Sequence, residues 1–305
     1  ELGGKGIMTK DILLENFDLL ADTPGGVQKL RELILQMAVQ GRLVPQDPEE
    51  EPASVLLERI KEEKKRLVKE GKIKKQKSLP PIEPDEVPFE LPEGWEWTRL
   101  GEATSYGLSE KINPELIENN VWVLELEDIE KVTSKILQEK YSDERKPKST
   151  KAIFRTGDVI YCKLRPYLDK VIIANKDGVC TTEMIPLNGF DIINNNFIRW
   201  FLKSPAFITY ANKSTHGMNL PRLGTDKARL APMPLPPISE QKRIVAKVNQ
   251  LMALCDDLEN KKENQKTIHT RLNKSALHNL RESNTSEELT ANWTRVKNNF
   301  NHLFT

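Results

Sequence analysis

The feature that most restricts the fold of this chain is an apolar seam in its C-terminal third. Apolar residues there are separated alternately by four and three positions: Ile244, Val248, Leu251, Cys255 and Leu258. This spacing places every member on one side of a helix, as in the seam of a coiled coil. The register continues in weaker form to Leu272 and Ala276. A helix of about 40 residues is roughly 60 Å long, so the pattern predicts a rod that serves as a spacer or a docking rail.

A second apolar stripe predicts a helix near the start of the chain. Its members recur at i, i+3 and i+4 spacing: Val27, Leu30, Leu33, Ile34, Met37 and Ala38. Gly41 follows the stripe and is a natural helix end. A further helix is predicted from Pro52, which suits a first helical position, to Gly71. We therefore predict a helical region over residues 8–77, and we interpret residues 1–7 as the remnant of an expression tag.

A change in composition separates this helical region from the middle of the chain. Residues 78–92 contain five prolines, which cannot continue a helix and which predict a semi-rigid linker. Residues 93–237 then carry short β-prone runs that alternate with turn residues, and one amphipathic helix. The predicted strands cover 121–126, 158–161 and 170–174, and the helix covers 197–203. This stretch predicts a mixed α/β domain.

The predicted fold class is α+β, with the mixed α/β domain flanked by long helices that form an antiparallel, coiled-coil-like spacer. The seam helix is placed at residues 238–282 and a tail at 283–305. The tail sequence NFNHLFT, at 299–305, is similar to NFDLL at 16–20. Either a longer parent chain carries two tandem copies or the similarity arises by chance, and the residues leave both interpretations open.

The formal net charge of +1 conceals an uneven distribution. Between residues 88 and 139, twelve acidic side chains face four basic ones, whereas residues 140–176 carry ten bases against four acids. Residues 199–229 carry six bases and one acid. Basic stretches with interleaved aromatic residues suit a surface that follows phosphates. Charge alone fits solvated loops and helix faces equally well, so both interpretations stay open.

Cysteine usage and hydropathy restrict the compartment. The three cysteines are far apart and lack C-x-x-C spacing, which argues against a disulfide framework or a zinc site and predicts a reducing cytoplasm. No run approaches the roughly 18 apolar residues that a transmembrane helix needs. We therefore expect a cytoplasmic protein without membrane contact.

No motif for catalysis is found. The sequence has neither the G-x-G-x-x-G nor the P-loop pattern, and it lacks the Asn-Pro-Pro-aromatic motif of DNA-adenine methyltransferases. Glu125, Glu127 and Asp128 superficially resemble a magnesium-nuclease cluster. Alternation along a strand would place Glu125 and Glu127 outward, which predicts a solvated strand edge. The four histidines are scattered without metal-ligand spacing, so we predict neither catalytic nor metal-binding residues.

Whole phrases of the sequence resemble the specificity subunits of type I restriction-modification systems. The central phrases lie at residues 157–170, 178–183 and 215–223 and read GDVIYCKLRPYLDK, GVCTTE and THGMNLPRL. LPEGWEW at 91–97 resembles the start of the family's target-recognition domain, and PLPPISEQKRIV at 234–245 resembles its exit into the spacer helix. LRELILQMAVQG at 30–41 is similar to a helix of the family's other constant region. The resemblance covers nearly the whole chain, in the family's order.

This resemblance implies a division of labour. A specificity subunit reads a split sequence in double-stranded DNA, one half-site per recognition domain, and its helices dock methyltransferase subunits. Those subunits hold S-adenosylmethionine, and separate motor subunits cleave, so this chain is expected to bind no cofactor and to be no enzyme by itself. The expected docking and spacer positions are Leu30, Leu33, Met37 and the five seam residues. Because the family's subunits carry two recognition domains, this chain is either truncated or a half-subunit that pairs with a copy of itself.

Lys163, Arg165, Tyr167 and Lys170 are the first candidates for DNA contact. They follow a predicted strand, in a loop stiffened by a proline. Arg165 can fork onto a guanine edge or a phosphate, and the lysines suit phosphates. An alternative is that Arg165 pairs with an acidic residue, Glu183, and braces the domain.

Two further segments and one weaker candidate complete this set. The polar cluster Thr181, Thr182 and Glu183 follows a predicted strand. The basic loop over 213–222 carries His216, Asn219 and Arg222, of which Asn219 suits bidentate contact with adenine. Ser109 and Lys111 are the weaker candidates. Each segment is also compatible with an ordinary turn or surface loop.

Three alternative functions remain open from the sequence. One is a single-chain nuclease or methyltransferase, against which the missing cofactor motifs count. Another is a coiled-coil scaffold or regulator without DNA contact, which the basic stretches disfavour. The third is the recognition part of a single-chain restriction-methyltransferase.

Overall fold

The structure, a computed structural model, describes residues 17–216 and 219–298. The interpretation of residues 1–7 as a tag remnant, and the tail repeat at 299–305, lie outside the described residues. The chain divides into two compact units. The first contains the described residues 17, 31–216 and 219–249, and the second contains 18–30 and 250–298.

The described α-helices are α1 (Phe17–Asp22), α2 (Gly26–Val39), α3 (Ala53–Lys69), α4 (Leu100–Ala103), α5 (Asn195–Leu202), α6 (Pro205–Lys213), α7 (Thr225–Arg229), α8 (Ile238–Arg281) and α9 (Ser286–Asn298). The strands are β1 (Glu96–Arg99), β2 (Lys111–Ile112), β3 (Trp122–Leu124), β4 (Lys151–Phe154), β5 (Val159–Cys162), β6 (Val171–Ile173), β7 (Gly178–Thr181), β8 (Met184–Leu187), β9 (Thr215–His216), β10 (Arg222–Leu223) and β11 (Pro232–Leu235). This mixture of helices and strands is the predicted α+β class. None of the described helices is both long enough and apolar enough to span a bilayer.

Two small sheets form the centre of the first unit. Strands β2, β4, β7 and β3 lie side by side in that order, with β3 and β7 parallel and the other pairs antiparallel. Strands β6, β5 and β8 form the second sheet, which is fully antiparallel. Both sheets contribute to one apolar cluster, in which the Trp122 and Phe154 rings meet edge to face at 5.3 Å. Because most of the central strand residues are buried, these strands are continuous apolar runs in the sequence.

Helices α5 and α6 are separated by a sharp capping turn. Ser204 accepts a hydrogen bond from the Phe207 amide at 3.3 Å, and Pro205 occupies the first helical position. Phe207 then packs against Phe201 and Tyr161, with ring centroids 5.3 and 5.5 Å away. This aromatic contact fixes the helix pair on the β6–β5–β8 sheet.

The start and the end of the mixed domain are paired with each other. Strand β1 lies antiparallel to β11, with Glu96 opposite Leu235 and Arg99 opposite Pro232. The Arg99 guanidinium is almost fully buried and binds both carboxylate oxygens of Glu86, at 2.7 and 2.6 Å. It also donates to the carbonyl of Pro81 at 2.7 Å. The proline-rich segment is therefore bonded to the domain.

The first turn of α8 is fixed to the same unit by a buried carboxylate. Glu240, which is 1% exposed, accepts hydrogen bonds from the Trp95 indole at 2.8 Å and from the Gln46 amide at 3.1 Å. Burial raises the pKa of Glu240. The side-chain oxygen of Gln241 accepts a hydrogen bond from the backbone amide of Asn194 at 2.9 Å. These contacts determine where the seam helix leaves the domain.

The seam itself is buried over only part of its predicted length. Ile244, Val248, Leu251 and Cys255 are at most 1% exposed, and Leu258 is half-buried. Leu30 and Met37 of the other stripe are buried and Leu33 is half-buried. The extension of the seam to Leu272 was wrong, because that side chain is 49% exposed. The polar positions that precede it, at 262 and 265, offer no apolar surface to bury.

The prediction of a solvated strand edge at residues 125–128 was wrong for Glu125 and Asp128, whereas the Glu127 side chain is 73% exposed as expected. Strand β3 ends at Leu124, and Leu126–Asp128 forms a short 3₁₀ turn. Glu125 pairs with Lys151, and the fully buried Asp128 binds Arg145 and the Gln138 amide. These carboxylates have cation partners within the protein, and no group of potential metal ligands occurs among the described residues.

The Asp128–Arg145 pair yields a stability prediction. Burial raises the pKa of Asp128, but hydrogen bonds from Arg145, the Glu125 amide and Gln138 outweigh it and hold the pKa below its ordinary value. Arg145→Met leaves a buried carboxylate without a cation, so we expect the free energy of unfolding at pH 7 to fall by about 3–5 kcal/mol in urea titrations. The deficit should shrink as the pH is lowered, because the unpaired carboxyl then takes up a proton.

The matched control is Arg155→Met. Arg155 pairs with Asp177 at 3.5 Å with both side chains more than half exposed, so we expect a loss below about 1 kcal/mol. Equal losses for the two variants would contradict the structural role given to Asp128.

Candidate nucleic-acid interface

Most of the candidate DNA-binding residues lie at one end of the β6–β5–β8 sheet. Cys162, the last residue of β5, lies opposite Met184, the first residue of β8. The loop that follows β5 and the turn that precedes β8 therefore emerge side by side. These are the segments Lys163–Lys170 and Thr181–Glu183, which are far apart in the sequence.

Backbone hydrogen bonds join the third segment, of which residues 215–216 and 219–222 are described, to the other two. The Lys163 amide donates to the Glu183 carbonyl at 3.0 Å, and the Lys163 carbonyl accepts from the Leu223 amide at 3.0 Å. The Arg165 amide donates to the Pro221 carbonyl at 2.7 Å. We call the surface formed by Lys163–Lys170, Thr181–Glu183 and the described residues 215–216 and 219–222 the recognition surface.

Two basic side chains of this surface have charged groups without a partner among the described residues. Arg165 is exposed and Lys163 is half-buried, and neither side chain has a hydrogen-bond or ion-pair partner among the described residues. Arg165 has φ +51°, in the left-handed region, and the buried Pro166 follows it. The backbone is thus held in a disfavoured conformation by its surroundings, which is common where a side chain must be presented to a ligand.

The alternative pairing of Arg165 with Glu183 does not occur. Glu183 instead binds the Nε atom of Arg222, at 3.1 and 3.2 Å. The pair is partly exposed, with 43% of the Arg222 side chain accessible. Arg222 therefore joins β10 to the turn before β8, and its remaining guanidinium nitrogens point to no other described partner.

The remaining candidates of the recognition surface differ in accessibility. Tyr167 is 52% exposed, whereas the Lys170 ammonium donates to the Leu126 carbonyl at 2.8 Å and so braces the loop from within. Thr181 and Thr182 are half-buried and Asn219 is exposed. His216 lies in β9, opposite Arg222, but its side chain lies outside the described residues, as do residues 217 and 218.

The two weaker candidates, Lys111 and Ser109, lie at different places in the first unit. Lys111 is exposed on β2, the edge strand that pairs with β4. Ser109 instead lines a cavity of about 260 Å³ beside the start of β5, together with Asp158 and Pro186. Because the loop after Cys162 leaves the other end of β5, Ser109 is separated from the recognition surface by the length of that strand.

A buried lysine, which the sequence analysis missed, supports the loop Lys163–Lys170 of the recognition surface from the protein interior. The Lys203 ammonium, on a side chain 7% exposed, bonds to Asp169 Oδ2 at 2.7 Å and to the Asp169 carbonyl at 3.1 Å. It also donates to Ser134 Oγ at 2.9 Å and to the Val132 carbonyl at 2.8 Å. Burial raises the pKa of Asp169 to about 6 and lowers the pKa of Lys203, and each charge opposes the shift of the other. The only sequence signal was a lysine at the end of the predicted amphipathic helix at 197–203.

The arrangement suits binding to an anionic polymer better than catalysis. It presents free cations, an exposed tyrosine ring and an exposed asparagine on three loops held by backbone hydrogen bonds. Cations that lack internal partners can neutralise phosphates, and arginine and asparagine can reach base edges. None of the three cysteines forms a disulfide among the described residues, and all three are buried. Burial raises the pKa of Cys162 to about 12, so this thiol is no nucleophile.

Comparisons with known proteins identify close relatives. A family model described as the type I restriction modification DNA specificity domain matches residues 92–266. The chain is 39% identical, over 299 residues, to the type I restriction enzyme EcoAI specificity subunit of Escherichia coli, with 92% of this chain and 49% of that protein covered. It is 38% identical to the EcoEI specificity subunit of the same organism, with 92% and 48% covered. The chain therefore spans about half the length of these relatives.

Solved structures share the fold. One, described as the structural basis underlying complex assembly and conformational transition of the type I R-M system, gives a TM-score of 0.56 at 25% identity, covering 62% of this chain and 50% of that chain. The HsdS subunit from Thermoanaerobacter tengcongensis gives a TM-score of 0.52 at 24% identity, covering 63% and 50%.

The Lys203 anchor leads to a double-mutant prediction. Lys203→Met leaves the Asp169 carboxylate buried without a cation, and we expect the free energy of unfolding at pH 7 to fall by about 3–5 kcal/mol. Adding Asp169→Asn removes the unpaired charge, and asparagine tolerates the left-handed φ of +49° at this position. The double variant should recover at least half of the loss in the same denaturant titration.

Lys176→Met serves as the control. Lys176 pairs with Glu139 at 2.6 Å near the surface, so its loss should stay below about 1 kcal/mol. A double variant that is less stable than Lys203→Met would show that the buried pair is not what anchors the loop.

Proposed function

The chain belongs to the family of type I restriction-modification DNA specificity domains, and from that premise we propose that it is the DNA-reading component of a type I restriction-modification complex. Its recognition surface binds one half of a split target in double-stranded DNA. The chain performs no chemistry itself.

The observation that carries this proposal is the convergence of three distant loops on one surface with unpaired cations. In the proposed complex, Lys163 and Arg165 contact phosphates or a guanine edge, and Tyr167 and Asn219 lie within reach of the bases. Arg222 stays oriented by Glu183 and offers its free nitrogens to the DNA. Lys170 supports the loop, since its ammonium is bonded to the Leu126 carbonyl.

The long helices serve the assembly of the complex. We propose that α2 and α8 hold methyltransferase subunits, which supply S-adenosylmethionine, and that restriction subunits join through them. The length of α8, 44 residues, and the bonds that fix its first turn to the domain support this role. The seam residues Ile244, Val248 and Leu251 are buried within the chain, so the partner would contact other faces of the helix. The relatives are named as specificity subunits of restriction enzymes and are about twice as long, so pairing with a second recognition domain or a second copy completes the target.

The experiment that tests the proposal is removal of the two free cations. The full chain is co-expressed with its own methyltransferase subunit, and binding to duplex DNA from its source genome is measured over a range of salt concentrations. For Lys163→Ala/Arg165→Ala we expect weaker binding, and a slope of log affinity against log salt that is smaller by about 2, since each lost phosphate contact contributes about 0.9.

The matched control is Lys65→Ala/Lys69→Ala, which removes the same charge from exposed positions on α3. This variant should keep the affinity and the slope within about 0.5 of the parent. If the Lys163/Arg165 variant also retains both while remaining folded, the recognition surface does not bind DNA and the proposal fails.

A further inference from the structure

A hairpin that the sequence analysis did not single out stands beside the recognition surface. Ile129 and Ile136 form an antiparallel bridge, and the Glu130 amide donates to the Lys135 carbonyl at 2.8 Å. Below them, the Leu137 amide donates to the Asp128 carbonyl at 2.8 Å. The tip of this hairpin, residues 131–135, has the sequence KVTSK. We call it the hairpin tip.

The conformation of the hairpin tip is unusual for its residues. Val132 has φ +66° and Ser134 has φ +59°, and a β-branched residue is strongly disfavoured in the left-handed region. The Val132 side chain is nevertheless 37% exposed, so apolar burial does not account for the strained conformation. Backbone strain held by the surrounding structure, on an apolar residue that stays partly exposed, is a reason to look for a ligand.

The strain is sustained by bonds to the recognition surface. The Val132 amide donates to the Leu168 carbonyl at 2.9 Å, and the Val132 carbonyl accepts from Lys203 at 2.8 Å. Ser134 Oγ donates to the Asp169 carbonyl at 2.9 Å. The hairpin tip and the loop Lys163–Lys170 are therefore held by the same buried ammonium, and Val132 is bonded to the residue that follows the exposed Tyr167.

The charges of the hairpin tip match those of the recognition surface. Lys131 and Lys135 are exposed, and neither has a side-chain partner among the described residues. The one acid at the base of the tip, Glu130, binds the Thr133 hydroxyl. Two free lysines thus flank an exposed apolar side chain. That combination fits a duplex groove, where the lysines meet phosphates and a methyl-bearing side chain meets a base edge.

We propose that the hairpin tip is a fourth DNA-contacting segment and that Val132 is a specificity-determining residue, whose methyl groups contact the C5-methyl group of a thymine in the major groove. Lys131 and Lys135 bind the flanking phosphates. The proposal rests on the DNA-reading function and adds to it an apolar contact, which discriminates between bases without a hydrogen bond.

The test is a selection from duplexes of randomised sequence, carried out with the full chain assembled with its methyltransferase subunit. The variant is Val132→Gly, because glycine adopts the left-handed conformation without strain and the fold should be at least as stable. We expect the selected half-site to lose its preference for thymine at one position by at least about 4-fold, the value of one buried methyl group. The remaining positions and the salt slope should be unchanged.

Two further variants make the outcome decisive. Leu116→Ala removes an apolar side chain that is more exposed than Val132, at 68% against 37%, and that lies outside the four segments, so it should leave the selected motif intact. Lys131→Ala/Lys135→Ala should weaken binding of all sequences alike and reduce the salt slope by up to about 2. If the parent selects a motif and Val132→Gly selects the same motif with the same preferences, the role of Val132 is refuted while the DNA-reading function stands. If the parent selects no motif, the DNA-reading function itself fails.

Discussion

A single buried ammonium group, that of Lys203, holds together the loops on which the proposed function depends. It bonds to four oxygen atoms, which belong to Asp169, Ser134 and Val132. A lysine buried to this extent is stable only when its charge is matched and its three protons are bonded, and Asp169 supplies the matching charge. Because these oxygens lie in two loops, the ammonium determines how the loops stand relative to each other. The relative positions of the exposed side chains on these two loops follow from that arrangement.

The position of Lys203 depends in turn on apolar packing. It lies directly after α5, whose residues Phe197, Ile198 and Phe201 are buried. The capping turn at Ser204 and the Phe207 ring contacts fix the end of this helix against β5. The packed strands and helices therefore fix the position of the buried Lys203 ammonium. The hydrogen bonds of that ammonium in turn fix the two loops around it. This order explains how a surface of short irregular segments can present side chains in a defined pattern.

The same unit also determines how the recognition domain connects to its helices. Pairing of β1 with β11 brings the two ends of the domain together, and Arg99 bonds the proline-rich segment to it. Glu240 joins the start of α8 to Trp95 and Gln46. Gly41, at φ +68°, ends the helical stripe where an added Cβ atom would lie 2.3 Å from Pro92. The recognition domain, the proline-rich segment and the first turn of α8 are thus fixed to one another by hydrogen bonds.

The sequence by itself determined the α+β class, the main helices, three of the buried strands and the family, because apolar periodicity and continuous motifs are local properties of a chain. It also located the loop at 163–170 as basic and stiff. Only the tertiary structure decided which charges are free: Arg222 rather than Arg165 binds Glu183, 39 positions away, and Lys203 binds Asp169 across 34 positions. It likewise paired Glu125 with Lys151 and the buried Asp128 with Arg145, and it revealed the strained hairpin tip. Such contacts depend on strand register and loop geometry, which place distant residues side by side and leave no periodic pattern in the sequence.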